Sequence, residues 1–195
     1  MKTKFKIPGL KFSRTILIIA IISSNLFPNN AVCQQLLTYE QNIPIDPGKK
    51  KKIIKDLNEW ILSRDNLILK NNIENESYVL EGNFVFENQV KYESSSTISR
   101  MYTSQTNGKI EFEFKIFVRD NHLVFNIGNF KHIPNSKGDK IDFGYLTVSD
   151  NAPDNLKHDY NADWFDKVWL NMKKIAEENS LILMKQIPSK LISNH

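Results

Sequence analysis

The stretch that decides the fold is Lys109–Phe130, KIEFEFKIFVRDNHLVFNIGNF. Apolar residues alternate with polar or charged residues in both halves, and this period of two is typical of strands with one buried face. Asp120 and Asn121 stand at the centre, and both residue types suit a two-residue hairpin turn. The stretch therefore predicts a β-hairpin in the middle of an antiparallel sheet.

The turn also sets the register of the predicted hairpin. The pairs expected on the core face are Val118 with Leu123, Ile116 with Phe125, and Phe114 with Ile127. On the other face, Phe117 should lie opposite Val124, an apolar pair among charged neighbours. Because apolar surface can mark an interaction site, Phe117 and Val124 are candidate ligand- or partner-binding residues. The alternative is a surface pair that only stiffens the hairpin.

The rest of the chain supplies three more strands and two helices. The predicted elements are a strand in Gln35–Ile45, a helix over Pro47–Ser63, strands at Asn66–Lys70 and Tyr78–Phe86, and a helix from Ala162 to Met184 that Pro188 ends. Gly82 is expected at a bulge or a close contact. The order β-α-β-β-β-β-α predicts an α+β fold, a single twisted antiparallel sheet of about five strands with two helices packed on one face.

The predicted domain covers residues 34–188, with a flexible tail at 189–195. Two long polar loops, 89–108 and 131–160, interrupt it. The first could instead extend its two neighbouring strands as a ribbon. A loop as long as the second is often functional or disordered in a compact domain.

Residues 1–33 have the three parts of a secretory signal peptide. Five basic residues precede the first acidic one, the apolar run Ile16–Ile22 follows, and small residues stand before Gln34. The apolar run is shorter than the roughly 20 residues that cross a membrane. We expect cleavage between Cys33 and Gln34 and no membrane span afterwards. Two alternatives stay open: lipid attachment at Cys33, which the preceding residues fit poorly, and an uncleaved anchor.

Cleavage would change both the charge and the thiol content of the chain. The whole sequence has 26 basic and 22 acidic residues, and the signal holds five of the basic ones, so 21 basic and 22 acidic residues remain, a net charge of −1. Nucleic-acid binding needs a basic surface, so we expect no nucleic-acid partner. Cys33 is the only cysteine. Its removal would exclude disulfides and cysteine chemistry.

Three stretches resemble a family of secreted bacterial domains of unknown function with a TATA-binding-protein-like fold. They are Asn58–Ile61 at the end of a lysine-rich helix, Tyr78–Phe84, and Ile116–His122, where Asn121 replaces the usual glycine of the turn. The resemblance covers roughly Leu37 to Met184. It implies a secreted or periplasmic location in the bacterial envelope and a curved antiparallel sheet with two helices on one face. It implies no known activity, and fold alone does not assign one.

A search for chemistry finds no catalytic residues, and we expect no metal and no cofactor. The four histidines lack the spacing of a helical metal pair and are expected to be scattered over the surface. Glu111 and Glu113 share one face of a strand and are expected to be solvated. Asp159, Asn161 and Asp163 begin like a calcium loop, but the later ligands of such a loop are missing.

The sequence thus favours a non-catalytic binding or interaction module of the bacterial cell envelope, a monomer or weak dimer with an unknown protein or small-molecule partner. The open sheet face or the long loop would provide its site. The first alternative is a carrier of a small apolar ligand between helices and sheet, in a cavity lined by Phe112, Phe114, Trp60 and Trp169. A third hypothesis is a hydrolase built from the Asp150–Asp166 loop and His158.

Overall fold

The structure, a computed structural model, describes residues 34–74, 76–93, 95–135, 140–157 and 161–192. The predicted signal peptide, residues 1–33, lies outside the described residues. So do His158 and Asp159 of the predicted hydrolase and calcium-loop sets.

Five strands form one sheet. They are β1 (Thr38–Pro44), β2 (Leu67–Ile73), β3 (Ser77–Phe86), β4 (Gly108–Val118) and β5 (His122–Pro134). Their spatial order is β1-β5-β4-β3-β2, and all neighbours are antiparallel. The predicted hairpin β4–β5 therefore lies near the centre of the sheet, and the predicted α+β fold class is confirmed. Pro44 ends an edge strand, as its missing N–H requires.

Three helices accompany the sheet: α1 (Lys50–Leu62), α2 (Ser96–Thr106) and α3 (Ala162–Ile192). A short 3₁₀ turn, Pro47–Lys49, leads into α1, and the Asp46 carboxylate caps it by accepting a hydrogen bond from the Gly48 amide at 2.9 Å. The helices α1 and α3 contact each other, and α3 also contacts β1, β3 and β5. The sheet face turned away from α1 and α3 is called the outer face below.

The core lies between the sheet and these helices. Along β4 the burial alternates at every residue, so that Ile110, Phe114 and Ile116 are fully buried while the intervening side chains are half-exposed. The three predicted core-face pairs of the hairpin are all present. Gly82 is a close contact rather than a bulge, because a Cβ there would lie 2.6 Å from the ring of Phe112.

The segment 89–108 is not the loop that the sequence predicts, because it contains α2. Ser95 begins this helix, and its hydroxyl accepts a hydrogen bond from the Ile98 amide. The ring of Tyr102 packs against Trp164 at 5.4 Å, which places α2 beside the start of α3. Serine and threonine have weak intrinsic helix propensity, so the composition of this segment does not predict a helix. The tertiary contact with Trp164 stabilises it.

The prediction that Pro188 ends the last helix is also wrong, since α3 continues to Ile192. A proline in a helix removes one hydrogen bond and crowds the preceding turn. Leu183, Met184 and Ile187 are buried immediately before it and hold this part of α3 against the core. The predicted flexible tail therefore begins as helix, and residues 193–195 lie outside the description.

A β-bulge interrupts the hairpin pairing on β5. Glu113 pairs with Gly128, but Glu111 pairs with Lys131, so β5 holds one residue more than β4 across this step. Asn129 lies in the bulge with a φ of +55°, a left-handed conformation that asparagine tolerates better than most residues. The extra residue keeps Phe130 and His132 on the core face, where both are fully buried.

The predicted loop 131–160 is partly ordered against the sheet. Strand β5 extends through its first residues to Pro134. Residues 141–148, called the strap below, then return to the sheet and form single bridges from Tyr145 to Lys131 and from Thr147 to Leu36. Tyr145 and Thr147 therefore pair with the sheet through isolated bridges rather than through a further strand.

Candidate functional site: a groove on the outer face

A groove of about 590 Å³ crosses the outer face of the sheet at its bulged end. It extends from the beginning of β2, at Asp65 and Ile68, over β3, β4 and β5 to Tyr145 on the strap. Its floor includes Asn83 and Glu111. The groove thus depends on residues that are spread from Leu36 to Tyr145 along the sequence.

The bulge and the strap explain why the groove forms at this end. The bulge increases the local bend of β5. Asn129 in the bulge and Lys131 just after it both line the groove. The strap then adds a wall beyond β5, because Leu146 donates a backbone hydrogen bond to Phe130 at 2.8 Å and the Leu37 amide donates one to Leu146 at 2.9 Å. A bent sheet with a wall along one side is concave.

Most charges in and around the groove are paired within the protein. Salt bridges join Lys109 to Glu111 at 2.7 Å, Lys115 to Glu113 at 2.8 Å, and Lys70 to Glu81 at 2.8 Å. The side chain of Asn129 donates a further hydrogen bond to Glu113 at 3.0 Å. The predicted solvated carboxylates, Glu111 and Glu113, therefore line a groove, and their charges are balanced by neighbouring lysines.

Tyr145 gives the groove an aromatic wall. Its side chain is half-exposed, and the Lys131 ammonium lies 5.5 Å from the centre of its ring, within the range of a cation–π interaction. The bridge between Lys131 and Tyr145 holds the two backbones together. The position of this ring is therefore set by the docking of the strap on β5.

The predicted binding pair lies elsewhere on the same face. Phe117 and Val124 are directly opposite each other, as the turn predicts, and both are half-buried. The Arg119 guanidinium lies 5.5 Å from the centre of the Phe117 ring and covers part of it. Neither residue lines the groove. Their role in binding remains a prediction.

The carboxylates of the predicted hydrolase loop hold the chain to α3. Lys173 on α3 contacts the Asp150 carboxylate at 2.9 Å and donates hydrogen bonds to the carbonyls of Val148 and Ser149. Asp166 accepts from the Ala152 amide at 2.7 Å and pairs with Lys157 at 2.8 Å. These contacts give Asp150 and Asp166 a structural role.

The histidines are not all on the surface, because His132 is fully buried. Among the residues that the structure describes, no three histidine, cysteine, aspartate or glutamate side chains lie close enough together to hold a metal ion. That part of the chain also contains no helix that is both long and apolar enough to cross a membrane.

The residues named for an apolar-ligand cavity are packed together in the core. Phe114, Trp60 and Trp169 are at most 1% exposed, and Phe112 is 3% exposed. The ring of Phe112 stacks on Phe84 at 4.3 Å. These four side chains belong to the buried core cluster of the described residues.

The chain is similar to two solved structures. One is a TBP-like protein from Parabacteroides distasonis, with 14% identity and a TM-score of 0.49 over 80% of this chain and 92% of that chain. The other is a DUF4468 family protein from Bacteroides ovatus, with 6% identity and a TM-score of 0.49 over 80% of this chain and 86% of that chain. No protein-family model matches the sequence, and no curated protein matches it either.

Sequence reasoning missed the groove, although one signal was present. Gly128-Asn129 interrupts the alternation of β5 with two residues that favour turns and left-handed conformations. Such a pair inside a strand pattern indicates a bulge. The docking of the strap has no comparable local signal, since Leu37, Phe130 and Leu146 are far apart in the sequence.

Proposed function

We propose that this protein is a non-catalytic binding module of the bacterial envelope, and that its ligand occupies the groove on the outer face. The observation that supports the proposal is the groove itself. Its volume of about 590 Å³ lies within the range of known ligand sites. It also lies on the face that α1 and α3 leave uncovered.

The lining favours a polar ligand with no net charge. The carboxylates of Glu81, Glu111 and Glu113 are already balanced by lysines, so an ion that binds at these carboxylates would have to compete with an existing pair. Ion-paired carboxylates still have lone pairs free to accept hydrogen bonds. Together with the amide of Asn83 and the ring of Tyr145, they suit a ligand with many hydroxyl or amide groups and a flat apolar surface.

The proposed location comes from the N-terminal segment. Its basic start and short apolar run are those of a secretory signal, and the small residues before Gln34 suit a signal peptidase. An exported binding module would meet ligands of the periplasm or the cell exterior. The mass of the mature protein tests this part directly, because cleavage after Cys33 leaves Gln34 first, whereas lipidation retains Cys33 with its acyl chains.

Native mass spectrometry of the mature protein, purified from its own envelope, tests the binding proposal. We expect a bound polar compound on the wild-type protein. Asn83→Trp should lose it, because the indole would occupy the floor of the groove. Asn126→Trp is the matched control: it introduces the same ring on the outer face, on β5 beside Lys115 and Glu40 but outside the groove.

Three other results would replace the proposal. If Asn83→Trp keeps the compound and Phe117→Ala loses it, the binding site is the Phe117–Val124 pair. If the compound is a lipid that both tryptophan variants keep, the protein is an apolar-ligand carrier. If the bound mass is another protein that Asn83→Trp still holds, the groove is not its interface.

A further inference from the structure

His132 joins three parts of the fold beneath the groove. Its Nε2 donates a hydrogen bond to the carbonyl oxygen of Thr106, at the end of α2, over 2.9 Å. Its Nδ1 accepts one from the amide of Phe143, on the strap, over 3.4 Å. Its own backbone amide donates to the Gly144 carbonyl at 2.9 Å. The residue is fully buried.

These partners are compatible only with a neutral imidazole ring. The Thr106 carbonyl can only accept, so Nε2 must carry a hydrogen; the Phe143 amide can only donate, so Nδ1 must be bare. A second proton on Nδ1 would point at the Phe143 N–H. It would break that hydrogen bond and leave a positive charge in an apolar site.

The surroundings of the ring contain little that could stabilise a charge. The rings of Phe86 and Phe143 lie nearly perpendicular to the imidazole ring, with centroids 5.8 Å and 5.6 Å away, and the paired residue on β4 is Ile110. On the strap, the Asp142 carboxylate favours the charged form, and so does the Thr106 carbonyl on α2. Burial opposes both and is the largest influence, so the pKa of His132 lies below its ordinary value.

The strap holds the wall of the groove in place. Phe143 and Leu146 are buried on its core side, while Tyr145 between them points to the groove. Gly144 has a φ of +67°, and this left-handed turn separates the Phe143 contact from the Tyr145 bridge by a single residue. Phe143, which contacts His132, is therefore only two positions from Tyr145, which forms the groove wall.

We propose that residues 141–148 form a pH-sensitive strap, and that protonation of His132 loosens the strap and with it the Tyr145 wall of the groove. The consequence for binding rests on the proposed function. The loosening itself follows from the contacts of His132 and does not require a ligand in the groove, so it can be tested in the ligand-free protein.

The direction and size of the effect follow from proton linkage. When the strap opens, His132 returns to its ordinary pKa of about 6.5; in the closed strap its pKa is lower. The strap is therefore most stable above the ordinary pKa and loses stability as the pH falls from there toward the lowered one. With at most one proton taken up per opening, the opening equilibrium should rise by up to about tenfold between about pH 7.5 and about pH 5.5.

Hydrogen exchange of the ligand-free protein, followed residue by residue by NMR, tests this inference. After correction for intrinsic exchange, the opening equilibrium measured at the amides of Phe143 and Leu146 should rise as the pH falls over this range, by up to about tenfold. The amides of Val118 and Arg119 are the internal reference. They are hydrogen-bonded at the turn end of the hairpin, to Glu76 and His122.

The matched variant is His132→Gln. Its amide can donate to Thr106 and accept from Phe143, but it does not titrate. The strap amides of this variant should show no pH dependence beyond that of the reference amides. The ring signals of His132 in the wild-type protein supply a second measurement, because they should show a pKa below about 6.5.

Two results would overturn the inference. The first is strap amides that follow the reference amides in the wild-type protein. The second is a His132 ring that titrates at or above its ordinary pKa. Failure of the proposed function is a separate result, since a bound compound retained by Asn83→Trp leaves the exchange data unchanged.

Discussion

The two ends of the β4–β5 hairpin have the same alternating sequence pattern but differ in their strand pairing and in the surfaces that they form. At the turn end the strands pair without interruption, from Val118 opposite Leu123 to Glu113 opposite Gly128. At the other end one extra residue, Asn129, shifts the register. The regular end supplies core on one face and a flat surface on the other. The bulged end supplies the groove, the residues of β5 that pair with the strap, and the buried His132.

The comparison shows that the candidate site arises where regular pairing is interrupted. A regular strand pair satisfies its own hydrogen bonds and offers only side chains. A bulge leaves one residue without a partner and bends the strand, so other segments can approach. Here the strap forms its bridge to Lys131 beside the bulge.

The largest expected effect tests the two faces of the regular end. Phe114→Ala should lower the free energy of unfolding by about 3–5 kcal/mol, because it removes a fully buried ring and leaves a cavity. Phe117→Ala is the control on the same strand, three residues away and on the outer face. It should cost less than half as much. Urea unfolding of residues 34–195 measures both, and equal losses would contradict the assignment of the two faces.

A smaller effect tests the bulge. Asn129→Val should cost about 1–3 kcal/mol, because a β-branched residue is strained at a positive φ. Asn129→Gly should be nearly neutral, since glycine accepts this conformation and the hydrogen bond that it loses, to Glu113, is exposed. Denaturant unfolding compares the two variants. A tolerated valine would mean that the register shift does not need the left-handed residue.

The smallest effect concerns the turn end and its response to pH. Lys50 contacts Asp120 at 2.9 Å and Glu76 at 2.8 Å, and Lys50 holds the pKa of the Asp120 carboxyl below its ordinary value. Asp120 therefore stabilises the fold above its ordinary pKa, and this contribution is lost as the pH falls through the lowered one.

Thermal unfolding of the wild-type protein and Asp120→Asn over a range of acidic pH measures this contribution. The melting temperatures should differ slightly near neutral pH and converge in strong acid, because Asp120 is exposed and the pair is screened by solvent. At the bulged end, the strap should instead lose stability as the pH falls below the ordinary pKa of histidine. If the difference in melting temperature between the wild-type protein and Asp120→Asn changed in that same pH range, the two ends would not differ in their response to pH.

The sequence predicted the sheet better than the helices. The alternation of β3, β4 and β5 gave the correct faces, and the Asp120-Asn121 turn gave the correct pairs near the turn of the β4–β5 hairpin, because these features depend on neighbouring residues. The helix α2 escaped prediction because Ser96–Thr106 is rich in hydroxyl residues. Its buried Thr106 accepts a hydrogen bond from Asn88 at 2.8 Å, and no local sequence pattern predicts this contact.

The sequence by itself determined the α+β class, the central hairpin and its core face, because strand periodicity and turn chemistry are local. It also placed Phe117 opposite Val124. Only the tertiary structure decided that the outer face has a groove, that α2 is a helix, and that His132 is buried under the strap. The groove and the buried His132 depend on the bulge and on residues 141–148, and α2 depends on its contacts with Asn88 and Trp164. Contacts between segments that are separated in the chain leave no periodic pattern in the sequence.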